Sequence, residues 1–139
     1  KYMSETLLDK AKQNYEVANT LFQSLANDDE AYLNYVGYHL QQAVEIAIKY
    51  ELSIHAVPYQ KTHDITQLIQ LANQNGVDLN LPEYIDDHSE MFTLWESRTR
   101  YIINYRLEKR KIERALEEVR KMLEQFKELS HDNEHLIEM

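Results

Sequence analysis

The chain has no cysteine among its 139 residues. That excludes disulfide staples, thiol nucleophiles and cysteine-based zinc sites. Glycine and proline occur only twice each. So few breakers, in a chain rich in Leu, Ala, Glu, Gln and Lys, exclude a turn-rich β architecture and point to an all-α domain. No apolar run approaches the ~20 residues a membrane span requires, and the first residues carry no signal-peptide pattern. There is no Gly-rich phosphate loop and no Walker pattern. The expectation is a single cytoplasmic domain spanning residues 1–139, long enough to bury a real core.

Positive charge is also scarce. With 15 Lys and Arg against 24 Asp and Glu, the formal net charge is −9, which argues against broad nucleic-acid binding. The scarcity is uneven, because Arg98 to Lys121 holds nine Lys or Arg and four Asp or Glu. Such a segment either contacts phosphates or an acidic partner, or is a solvated helix face with ordinary ion pairs. Among the aromatics, Tyr outnumbers Phe and Trp by 10 to 3 and 1. Tyr32, Tyr35 and Tyr38 step by three, which suits either a core edge with wet hydroxyls or a stacking or subunit surface.

The apolar spacing predicts long helices with short connections. Helix one covers about Ser4 to Ala26, with Leu8, Ala11, Tyr15, Ala18, Phe22 and Leu25 as its stripe. Asn27 and Glu30 have capping-box spacing ahead of helix two, about Asp29 to His55. Gly37 inside it predicts a close helix–helix approach. Helix three starts at Thr62–Asp64, with Asp64 and Gln67 as cap partners, and ends at Asn75 and Gly76. A short turn is expected around Glu83–Ile85. Helix four starts at Asp86 or Asp87, with Glu90 as a box partner and Met91, Leu94, Trp95 and Tyr101 as its buried edge. A kink or loop is expected within Arg98–Arg106. Helix five covers about Glu108 to Leu129, and Ser130 to Met139 are expected to fray. The default assembly is an antiparallel four-helix up-down bundle with a short additional helix or turn between helices three and four.

Metal chemistry finds little support. Ferritin-like sites need Glu-x-x-His on two inward helices, and such a pair is not present. His131 and His135 have i,i+4 spacing but lie in the expected tail, so no metal and no cofactor is predicted. Two polar constellations stand out instead. Gln41, Glu45 and Lys49 fall four apart, on one face of a helix whose other side is Leu40, Ala43, Val44, Ala47 and Ile48. On spacing alone they form a surface ion pair with Glu N-terminal to Lys. His63-Asp64 follows at the next helix start, either as a plain cap or as a general acid–base group.

The pattern Gln-Gln-x-x-Glu-x-x-x-Lys followed by His-Asp resembles the HEPN family, helical domains associated with nucleotidyltransferases and with RNase toxins. The resemblance spans roughly Leu7 to Phe126. It implies a homodimer paired through the last helices, a nucleotidyltransferase-type partner, a nucleotide or RNA ligand, and a place in a toxin–antitoxin or defence pair. It makes the Gln41, Glu45 and Lys49 stripe a lining element near a central groove, and Gln41, Glu45, Lys49, His63, Arg98, Arg100 and Tyr101 the ligand-binding residues. Ribonuclease members carry Arg, four to six residues, then His near the start of the last long helix. The Arg stabilises transition-state charge and the His moves a proton, without a metal. Here Arg98 and Arg100 are present, but no His follows at that spacing. Tyr105 stands five beyond Arg100, and a phenol is a poor proton shuttle near neutral pH. Arg100-Tyr101 also matches the start of the Arg-Tyr-Pro ending of another branch, with Ile102 in the Pro position. The sequence thus favours a non-catalytic binding module. The alternatives are a divergent metal-independent RNase using Arg98, Arg100 and Tyr105, with His63 or His39 as further proton carriers, and a purely structural interaction bundle.

Overall fold

A computed structural model describes the backbone of residues 5–138 and the side chains of residues 5–126. The elements are α1 (Leu7–Gln23), α2 (Leu25–Asp28), a 3-10 turn (Glu30–Tyr32), α3 (Leu33–Ile54), α4 (Ile65–Gln74), α5 (Glu83–Asp87), α6 (Ser89–Tyr101) and α7 (Lys109–Glu138). The described secondary structure is helical throughout, so the all-α expectation holds.

The core is built around α3. Its residues Leu33, Val36, Leu40, Ala43, Val44, Ala47, Ile48 and Leu52 are each fully buried, and it packs against α1, α4, α6 and α7. A helix that is apolar on most sides must be covered on most sides. The covering side chains include Ala11 and Ala18 of α1, Phe92 and Trp95 of α6, and Ile112, Ala115, Val119, Met122 and Phe126 of α7. The close approach expected at Gly37 is present. A Cβ there would lie 2.6 Å from Leu107 Cδ1 and 3.5 Å from the Trp95 ring.

Several boundaries differ from the periodicity, each for a local reason. Helix one breaks at Ser24, whose hydroxyl donates to the Thr20 carbonyl at 2.7 Å, a back-bond that competes with the helix ladder. The break turns Leu25 outward, leaving it 47% exposed. The Asn27–Glu30 box does not form, since Asp29 caps the 3-10 turn by accepting from Ala31 N. The Asp87–Glu90 box is replaced in the same way: Asp86 and Asp87 end α5, and α6 starts after His88 without a side-chain cap. This shifts the buried edge of α6 to Phe92 and Trp95, while Leu94 and Tyr101 face solvent. Asp64 does cap α4, accepting from Gln67 N at 3.1 Å, and Gly76 ends it with φ +70°. The expected interruption after α6 is a turn at residues 102–104, with Asn104 at φ 65°. The α7 backbone is helical to Glu138; the side chains of Ser130 to Met139, with His131 and His135 among them, lie outside the described residues.

Glu51 on α3 is 3% exposed, and its Oε1 has no hydrogen-bond partner. Burial pushes its pKa up, and the nearby His55 opposes that only in part. A carboxyl whose folded-state pKa is raised contributes most where it is protonated in both states. That contribution falls as pH climbs from the unfolded value through the folded one. Glu51→Gln is therefore expected to stabilise the protein at about pH 7 and to change little at about pH 4, where the unfolded carboxyl is itself largely protonated. Denaturant midpoints at the two pH values check this.

Candidate functional site

The polar stripe of α3 does not lie on the surface. Gln41 is 0% and Glu45 3% exposed, so the surface-pair reading fails and both groups must be satisfied internally. Gln41 Nε2 donates to Glu45 Oε1 at 2.9 Å and, at 3.3 Å, to the carbonyl of His63. Gln42 Nε2 donates to Gln41 Oε1 at 2.7 Å. Lys49 Nζ lies 2.9 Å from Glu45 Oε2 and 5.7 Å from the centroid of the Tyr59 ring. The stripe thus reaches inward and pins the segment that leads into α4.

His63 carries the network across to α6. Its Nδ1 is 3.0 Å from Glu45 Oε1, and its Nε2 is 3.6 Å from Glu96 Oε1. That Glu96 oxygen is in turn 2.7 Å from Arg100 Nη2, and Arg100 Nε donates to the Glu96 carbonyl at 2.8 Å. The Arg100 guanidinium lies 4.8 Å from the Tyr38 ring centroid and 4.7 Å from that of Tyr101. One continuous chain of contacts therefore runs from Lys49 through Glu45, His63 and Glu96 to Arg100 and its two tyrosines. In charge it alternates cation, carboxylate, imidazole, carboxylate, cation, an arrangement that holds each buried carboxylate against a donor.

Of the residues singled out in the sequence, Gln41, Glu45, Lys49, His63, Arg100 and Tyr101 are brought together. Arg98 is exposed on the outer side of α6 and has no side-chain ion pair among the described residues. Tyr105 packs against the core, and its carbonyl accepts from Asn34 Nδ2 at 2.7 Å; Tyr101, not Tyr105, is the tyrosine beside Arg100. His39 faces α1, with Nδ1 2.9 Å from Asn14 Oδ1, and burial lowers its pKa. Much of the basic segment on α7 is paired along its own helix: Arg114 with Glu118, Arg120 with Glu117 and Glu124, and Lys121 with Glu118. Sequence reasoning missed Glu96, and it placed Tyr38 only in a row of tyrosines at a core edge or a stacking surface. Glu96 is legible in hindsight from its i,i+4 spacing to Arg100, whereas only the α3–α6 contact reveals the role of Tyr38.

The HEPN domain family model matches residues 4–129. The chain belongs to the HEPN domain family. This match takes in every residue of the network, from Tyr38 to Tyr101. No curated protein and no solved structure matches the chain. Membership points to a nucleotide- or RNA-related, or toxin-like, module. Among the described residues of this HEPN domain, no group of three or more His, Cys, Asp and Glu side chains could hold a metal ion. No described helix is long and apolar enough to cross a membrane.

Proposed function

We propose that this HEPN domain is a non-catalytic binding module that takes a nucleotide, and that it works with a nucleotidyltransferase-type partner, as in a toxin–antitoxin or defence pair. The observation that carries the reading is the fixing of Arg100 between two tyrosine rings at the end of a self-neutralised network. Arg98, on the outer side of the same helix, has no ion pair among the described residues and is free for phosphate, and Tyr101, 70% exposed, offers a ring on which a base can stack. The non-catalytic part rests on the histidines. Both ring nitrogens of His63 face carboxylates and His39 faces Asn14, so no described imidazole stands free beside the arginines.

The module is read as a cytoplasmic homodimer. Tyr101, Ile102 and Ile103 are 70%, 49% and 86% exposed, and Tyr35 is 53% exposed. Exposed aromatic and aliphatic groups of this kind beside arginines suit a subunit surface. We further read the long helices as an antiparallel up-down bundle with α5 as the short addition. In support, Lys109 lies over the Phe22 ring, while Arg120 and Leu123, further along α7, border the same cavity as Lys12 and Tyr15, earlier in α1.

One observation favours a second reading, a metal-independent RNase: His63 and Arg100 converge on the same Glu96 oxygen. Titration calorimetry with ATP and GTP, run beside an RNA cleavage assay in EDTA, separates the two. The binding-module reading expects nucleotide affinity to fall about tenfold in Arg98→Ala/Arg100→Ala, as loss of one charge-assisted contact predicts, with no RNA cut. Absence of nucleotide binding sinks it. Cutting that disappears in both Arg98→Ala/Arg100→Ala and His63→Ala establishes the RNase.

A further inference from the structure

The sequence places glutamines at 67, 70 and 74, which fall on one side of α4 at i, i+3 and i+7. The segment ahead of α4 adds Gln60 and Thr62. The fold sets these two stretches opposite each other, and a groove of about 400 Å³ runs between them. Its lining is Pro58, Tyr59, Gln60 and Thr62 on one wall with the three α4 glutamines on the other, over Leu68 and Leu71. The walls are fixed. Gln41 holds the His63 carbonyl, Thr62 Oγ1 accepts from Asp64 N at 3.1 Å, Val57 N donates to Leu52 O at 2.9 Å, and Leu68 is 1% exposed.

Two properties of the groove define what it can hold. No charged side chain lines it, although the chain carries 15 basic and 24 acidic residues. All four carboxamides are without a partner among the described residues, and each offers both donor and acceptor. A phosphate-bearing ligand finds no cation in the lining, since Lys61, between Gln60 and Thr62 in the chain, is not part of it. A flat base finds only Tyr59, whose ring already faces Lys49 Nζ. From Gln67 to Gln74 the amide row is about 10 Å long, the span of about three residues of extended chain. Main-chain N–H and C=O groups are the partners that a row of carboxamides matches without charge.

We propose that this groove binds a short, uncharged, extended segment of a partner polypeptide. The carboxamides of Gln60, Gln67, Gln70 and Gln74 pair with its main chain, and an apolar side chain rests on Leu71. The site is separate from the Arg100 surface and does not rest on nucleotide binding there.

The test uses the intact protein, labelled for NMR, and the blocked pentapeptide acetyl-Ser-Leu-Ser-Leu-Ser-amide. Saturable shifts are expected at the side-chain amides of Gln67, Gln70 and Gln74 and at Tyr59. The same peptide N-methylated at its two leucines, which removes two donors and keeps the side chains, is expected to lose them. Gln70→Ala/Gln74→Ala, both exposed positions, is expected to bind at least about tenfold more weakly, two hydrogen bonds of ordinary net worth being removed. No saturable shift up to the solubility limit overturns the proposal. So does equal binding of the methylated peptide, which means apolar association only. Adenosine shifting the same amides overturns it too, by making the groove a base site.

Discussion

Glu45→Ala is expected to destabilise the protein by about 3 kcal/mol, the usual order for removing one partner of a buried ion pair. The expectation follows from what Glu45 holds. Its two oxygens receive Lys49, Gln41 and His63, and its side chain is 5% and that of Lys49 15% exposed. Truncation leaves the Lys49 ammonium without its acceptor and the Gln41 amide with only the His63 carbonyl, in a place water reaches poorly, and it opens a void in the α3 interface. His63, the most exposed of the three at 55%, adds little. For a chain of this length the loss lowers the melting temperature by about 10 °C. Glu45→Ala/Lys49→Met tests the cause: with the stranded ammonium removed as well, a substantial part of the stability should return. Thermal unfolding of the single and double variants decides it. If the single variant loses less than about 1 kcal/mol, the range of an exposed pair, Glu45 is an ordinary surface carboxylate.

Gly37→Val is expected to cost about 2–3 kcal/mol, within the range for overpacking a filled interior. The first added carbon meets Leu107 Cδ1 at 2.6 Å and the Trp95 ring at 3.5 Å. A branched side chain cannot rotate both of its methyls away from an aromatic ring held by Phe92 at 5.0 Å between centroids. Alanine is a different case. Its methyl clashes only with the end of a rotatable leucine and makes ordinary contact with the Trp95 ring, and it gains about 1 kcal/mol of helix propensity over glycine, so Gly37→Ala should lie near neutral. Leu107→Ala, which empties the space beside Gly37, is expected to make the valine less harmful than in the parent. The two changes should therefore be non-additive in a denaturant-based cycle. Simple additivity would mean that the valine clashes elsewhere.

The depth of Gln41 and Glu45 shows where sequence reading stopped. Spacing put them on one helix face with Lys49, and the family resemblance marked that face as a lining. Periodicity alone made it a surface, because polar residues on an amphipathic helix ordinarily face water. What buries the stripe is the return of the 58–64 segment over it, a long-range contact that no local pattern encodes. Gly37 was legible for the opposite reason: a glycine within an uninterrupted helix pattern costs stability, so its presence already asked for a close neighbour. Helix ends were read least well. Ser24 and Asp29 each made a side-chain hydrogen bond to the backbone, the first where the helix ends early and the second in place of the expected cap, and such choices turn on about 1 kcal/mol. The arginine region was legible as a break in the helix pattern, while the pairing of Arg100 with Glu96 and Tyr38 required the packing of α6 on α3.

Trp95 is the only tryptophan of the chain. It lies 1% exposed against Gly37, in the residue before Glu96 and five before Arg100. The molecule therefore contains its own optical probe at the α3–α6 seam. Its indole is shielded from water while the seam is closed, so its emission should be blue-shifted in the native state. Any partner that pries α6 from α3 through Arg100 must redden that emission, with no label added.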